Sequence, residues 1–183
     1  MNKIIVITGD LASGKSTLAD HLKERFHFLC LKKDSYKELI CNEIGFANRQ
    51  ENLKISHLTM NLLLLVAKQA MEEGINIIFE ANFHANELAQ VNSLINQFHY
   101  QSFFINLTAE MKVLYQRFLD RVPLRHAAHL SGHLQDSFLN FKQYIEQSRD
   151  ETKDYLFHYF DTTNKGPLII FDEVLYVMRE NSF

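Results

Sequence analysis

Proline and glycine are scarce in this chain of 183 residues, at two and six, and no low-complexity linker or internal repeat interrupts it. That excludes a string of tethered modules. One domain over 1–183 is expected, long enough to bury a continuous core without disulfide or metal staples. Cysteine is equally scarce: Cys30 and Cys41 have neither metal-ligand spacing nor a disulfide framework, which fits a reducing interior. A basic surplus is missing too, the formal net charge being −3, which counts against nucleic acid as the partner. The longest apolar block, "LLLLVA" at 62–67, falls far short of the roughly 20 residues of a membrane span. At the amino terminus "IIVI" meets Gly9-Asp10 too soon to be the core of a signal peptide. A soluble, cytoplasmic protein is expected.

What is present is an alternation of patterns. Strand-like runs at 3–8, 26–31, 75–80 and 100–107, with a late short strand inside "YLFHYFDTT", take turns with helical patterns. These cover Lys15–Phe26, a helix from Asp34, Asn52–Glu73 closed by Gly74, 85–98, Ala109–Val122, 134–147 and Phe171–Glu180. Parallel neighbours require crossovers, so the alternation predicts an α/β three-layer sandwich with helices on both faces of a parallel sheet. The apolar helix 52–73 suits a core element or a dimer face, leaving monomer and homodimer both open.

Between the first strand and the first helix stands Gly9-Asp10-Leu11-Ala12-Ser13-Gly14-Lys15-Ser16-Thr17, which matches G-x-x-x-x-G-K-[ST] in the required context. Glycines let successive amides point inward around an anion. Lys15 is placed for the β- and γ-phosphates, Ser16 for Mg²⁺, and Thr17 for the α-phosphate side. The helix N-terminus adds its dipole. Gly9, Leu11, Ala12, Ser13, Gly14, Lys15, Ser16 and Thr17 are therefore the expected triphosphate site.

Two carboxylates compete to serve that site. "LIIFDE" at 168–173 has the form of a Walker B strand, but only ten residues follow it, so Asp172 is read as the N-cap of the last helix. Glu80 ends the apolar run "INIIFE", where a carboxylate faces the ligand crevice of an open α/β sheet and can support Mg²⁺ or the acceptor. Asp34 follows the second strand in "LKKDSYKE"; it is placed to take the proton of an attacking hydroxyl and also to cap the next helix. Lys33 and Lys37 beside it are read as solvated. In "YQRFLDRVPLRHAAHLSGH", Arg121 and Arg125 are candidates to stabilise a transferring phosphoryl group, while Arg117 reads as a solvated helix face. His126, His129 and His133 lack a fourth ligand and are read as loop anchors or phosphate contacts rather than a zinc site.

Taken together, "GDLASGKST", "KKDSYKE", "IIFEANF", "RFLDRVPLRHAAH" and "FDTTN" resemble the P-loop small-molecule kinases of the nucleoside-monophosphate-kinase-like group. That group includes shikimate and gluconate kinases, chloramphenicol phosphotransferase, zeta toxins and the polynucleotide kinase domain. The resemblance implies a P-loop NTPase fold with a five-stranded parallel sheet and a helical lid over 117–133. It implies Asp34 as the group that handles the acceptor hydroxyl, and Asp161 and Thr162, within "DTTN", beside the adenine. The chain departs from the group's pattern in having Glu80 in place of an Asp, and Arg-His-Ala-Ala-His in place of Arg-His-Pro-Gly-His in the lid. The acceptor is expected to be read by 34–59, where Arg49 is the one arginine, so a neutral or weakly charged hydroxyl compound is favoured. The expected function is transfer of the γ-phosphoryl of ATP, with Mg²⁺, to a small-molecule hydroxyl, by Lys15, Asp34, Arg121 and Arg125. The alternatives are a hydrolysing ATPase or switch, and a polynucleotide 5′-hydroxyl kinase.

Overall fold

The run KIIVITG forms strand β1 (Lys3–Gly9), whose Ile4, Val6, Ile5 and Ile7 are wholly buried. An unbroken apolar run rather than an alternating one is what a central parallel strand needs, because both its faces are covered by helices. The computed structural model describes residues 1–129 and 134–183. Beside β1 lie β2 (Leu29–Lys32), β3 (Ile77–Glu80), β4 (Gln101–Thr108) and β5 (His158–Asp161). All pair parallel, in the order β2-β3-β1-β4-β5. The helices are α1 (Lys15–Phe26), α2 (Lys33–Ile44), α3 (Arg49–Glu72), α4 (Ala85–Phe98), α5 (Met111–Arg121), α6 (Phe138–Glu151) and α7 (Pro167–Glu180), with a short 3₁₀ turn at Val122–Leu124. The three-layer α/β/α expectation and the five-stranded parallel sheet hold.

One buried cluster packs α3 and α4 against one sheet face through Leu63, Phe79, Leu88 and Val91. Another packs α1 and α7 against the opposite face through Leu22, Ile105, Ile170 and Val174. Leu114, Phe118, Phe141 and Ile145 join α5 to α6. No helix among the described residues is long and apolar enough to cross a membrane.

Several boundaries differ from the sequence expectation for local reasons. Helix α3 starts at Arg49 because the Asn48 side chain caps it, accepting from the amide of Glu51 at 3.0 Å. Helix α6 starts at Phe138, capped by Ser137, and so lies four residues later than 134–147. The largest correction concerns α7, which begins at Pro167 behind Gly166. Proline is pre-organised for a first helical position, and Ile170, Val174 and Met178 are buried at helical spacing. Asp172 is consequently neither an N-cap nor the end of a strand. Asp34 is not a cap either: α2 opens at Lys33, which puts Asp34 in the first turn, where a carboxylate complements the helix dipole.

Candidate functional site

Three adjacent strands end at one edge of the sheet. Glu80 is in register with Ile7 of β1 and with Lys32 of β2, so the phosphate loop, Glu80 and Asp34 emerge side by side. The amide of Ala81 donates to Ile7 O at 3.1 Å and fixes the chain leaving β3 against β1.

In the loop, Gly9 has φ 130° and Gly14 φ 97°. A Cβ on Gly9 would lie 2.1 Å from the carbonyl oxygen of Leu107, so only glycine lets the loop leave β1 this close to β4. Lys15 Nζ reaches across the loop to Gly9 O at 3.0 Å and Asp10 O at 2.7 Å. Burial holds its ammonium below the ordinary pKa, against the pull of Glu80, Asp34 and Asp10. The Ser13 hydroxyl is buried and has no hydrogen-bond partner among the described residues. An unsatisfied donor inside a ring of amides is what an anion would relieve.

Ser16 Oγ donates to Glu80 Oε2 at 3.3 Å. Burial pushes the Glu80 carboxyl up to about 7, with Lys15 and Ser16 pulling the other way. A hydroxyl and a carboxylate in contact at the mouth of a phosphate loop suit Mg²⁺, which takes one or two protein oxygens and completes its shell with phosphate and water. Among the described residues no three His, Cys, Asp or Glu side chains cluster as a metal site.

Three cavities surround this edge. The first, about 290 Å³, is lined by the loop, Asp34, Glu80, Arg121, Arg125, His126 and His129. The second, about 180 Å³, continues from Gly14 and Thr17 past Arg117 and Arg121 to Thr162, Lys165 and Ile170. The third, about 400 Å³, lies on the other side of Asp34 between α2, α3 and α6, with Lys37, Arg49, Asn82, Tyr144 and Glu151 in its wall. Leu11, Ala12, Ser13, Lys15, Ser16 and Thr17 all line the first cavity, and Arg121 lines the first and second together. Thr162 lines the second, whereas the Asp161 carboxylate turns to the amide of Thr163 at 2.8 Å. Arg125 is held with its guanidinium over the Phe118 ring, 5.4 Å from its centroid, and burial lowers its pKa.

The segment after α5 is docked onto the helices beside Asp34. His126 Nε2 lies 2.9 Å from Asn42 Oδ1 and His129 Nε2 2.7 Å from Glu38 Oε1. Buried Asn52 donates to Ala128 O at 2.8 Å. The two histidines are thus loop anchors; His133 lies outside the described residues. His129 Nδ1 is also 3.9 Å from Asp34 Oδ1.

Three basic residues read as solvated are engaged. Lys33 is buried in an ion pair with Glu87 at 2.9 Å, and Lys37 donates to Asn52 Oδ1 at 2.9 Å. Arg117 donates to Thr162 Oγ1 at 2.9 Å and Thr162 O at 2.7 Å, tying α5 to the loop after β5. Sequence reading missed Asp10, which is buried and gripped by Arg149, and Glu38, whose place four residues after Asp34 on one helix face was the available signal. Glu173, in the would-be Walker B segment, pairs with Lys165 at 2.8 Å.

Residues 5–127 match the model of a family described as AAA domain. No match is found among curated protein sequences. Among solved structures, the chain is similar to a protein of Chloroflexus aurantiacus provisionally assigned as a kinase, at 21% identity and TM-score 0.77, covering 96% of this chain and 97% of that one. It is similar to a gluconokinase from Sinorhizobium meliloti at 14% identity and TM-score 0.60, covering 97% and 92%. Shikimate kinase from Aquifex aeolicus shares 15% identity at TM-score 0.59, with 98% of each chain covered. The fold is that of the P-loop kinases.

Proposed function

We propose that this chain, which belongs to the AAA domain family, moves the γ-phosphoryl group of ATP to a hydroxyl of a small molecule. The observation that carries the reading is the position of Asp34 in the wall of two cavities at once, the one at the phosphate loop and the 400 Å³ one beside it. A carboxylate on a shared wall can face a hydroxyl on one side and a phosphoryl group on the other.

In this reading the loop amides, the Ser13 hydroxyl and Lys15 hold the phosphates. Ser16 and Glu80 would hold Mg²⁺, which when bound neutralises phosphate charge. Asp34 receives the proton as the acceptor oxygen forms its bond to phosphorus and the bond from phosphorus to the departing ADP oxygen breaks. Arg121 and Arg125 balance the charge on the group in transit. The contacts of His126, Ala128 and His129 to α2 and α3 hold the segment that follows Arg125 against the helices beside Asp34. The wall of the second cavity, with Thr162 and Ile170, suits the nucleoside.

The test is incubation of the protein with γ-³²P-labelled ATP and a small-molecule extract. Label in a new phosphomonoester, formed by the wild type and not by Lys15→Met, is expected. Release of inorganic phosphate alone, at the same rate with and without extract, would contradict the reading.

A further inference from the structure

The 400 Å³ cavity has a charge distribution that its sequence segment does not suggest. Three cations line it, Lys33, Lys37 and Arg49, against the two carboxylates Asp34 and Glu151. Lys33 is neutralised by Glu87, which lies outside the cavity wall. Glu151 is engaged at the far wall by His84 Nδ1 at 2.7 Å. On the α2–α3 wall, Lys37 has only the neutral amide of Asn52 as its hydrogen-bond partner, and Arg49 has no ion pair among the described residues. The Lys37 ammonium is held below its ordinary pKa by burial, with Lys33 and Arg125 adding repulsion and Asp34 opposing it. Lys37 feels Asp34 on its own helix but forms no ion pair with it among the described residues, so the two cations of this wall remain open to an oxyanion.

We propose that the acceptor is an anionic hydroxy compound, whose carboxylate or phosphate is held between Lys37 and Arg49 while its hydroxyl meets Asp34. This rests on the phosphotransferase reading. The opposite wall, with Asn82 bonded to the Tyr144 hydroxyl, Gln147 and Ser148, supplies neutral donors and acceptors for the rest of the molecule. A volume of about 400 Å³ suits a small metabolite rather than a polymer.

The experiment splits a small-molecule extract on an anion-exchange resin at pH 8 and offers each fraction to the full-length protein with γ-³²P-labelled ATP. Labelled product is expected from the retained, anionic fraction and not from the flow-through. Lys37→Met is expected to reduce that labelling by roughly tenfold or more, through a raised KM, since a charged hydrogen bond is lost; Lys37→Arg restores most of it. Arg49→Gln, at an exposed first helical position where folding is not at stake, lowers labelling in the same direction. Label confined to the flow-through, or anionic labelling unchanged in both Lys37→Met and Arg49→Gln, overturns this inference and leaves the phosphotransferase reading standing. Label from neither fraction overturns that reading, and this inference with it.

Discussion

Arg149, near the end of α6, donates from Nε and Nη2 to the two carboxylate oxygens of Asp10 at 3.0 and 2.6 Å. Asp10 is the second residue of the phosphate loop, buried and also bonded to Thr108 Oγ1 at 2.7 Å. One bidentate pair therefore ties the loop to the helix whose neighbouring residues, Gln147, Ser148 and Glu151, line the 400 Å³ cavity.

Removing Arg149 strands a buried carboxylate. Loss of one partner of a fully buried pair costs about 3–5 kcal/mol. The Arg149 side chain is 44% exposed and Thr108 keeps its bond, so Arg149→Met is expected to cost about 2 kcal/mol, read from the urea midpoint. Arg149→Lys recovers part of this, since an ammonium cannot make the bidentate contact. An unmoved midpoint in Arg149→Met would mean the pair does not organise the loop.

Lys15 is a buried cation satisfied by two carbonyls, and burial disfavours its charge. Lys15→Met should leave thermal stability unchanged or slightly higher. Phosphoryl transfer should fall by at least about 100-fold, as for loss of a preorganised donor. Circular-dichroism melting and a labelled-ATP assay measure the two effects separately.

Glu80 gives the account a pH signature. Its folded pKa of about 7 stands above the ordinary value of 4.5. Between those values the folded protein binds more protons than the unfolded chain, so this group's contribution to stability falls as pH rises through the window. Above pH 7 the ionised, buried carboxylate is a net cost that Glu80→Gln removes. The variant is expected to exceed the wild type by about 3 kcal/mol at pH 8 and to match it near pH 4.5, by chemical unfolding without added metal or nucleotide. A constant difference across that range would contradict the assignment.

Much of this site was legible because its parts are local. The loop is contiguous, and Glu80 and Asp34 each follow an apolar run that a central parallel sheet must place at one edge. Asp10 with Arg149 was not legible, because 139 residues separate the two and nothing local marks a loop aspartate as buried. Lys33 with Glu87 escaped for the same reason, being 54 residues apart. The last helix is expected from Phe171 with Asp172 as its cap, because the four apolar residues of "LIIFDE" fit a strand as well as a helix; Pro167 and the spacing of Ile170, Val174 and Met178 start it four residues earlier. The wall proposed to hold an anionic acceptor was hidden by composition. Lys37 and Arg49 are ordinary surface residue types, and only the turn between α2 and α3 puts them on one cavity wall.

The central claim is that Asp34 serves the hydroxyl rather than the nucleotide. Its most direct measurement compares Asp34→Asn with the wild type in turnover of extract-dependent labelled phosphomonoester at saturating ATP, and in affinity for a non-hydrolysable ATP analogue by calorimetry. The account predicts turnover reduced by about 10²–10⁴-fold with affinity within twofold of the wild type. Turnover preserved at saturation, with affinity lost, would contradict it.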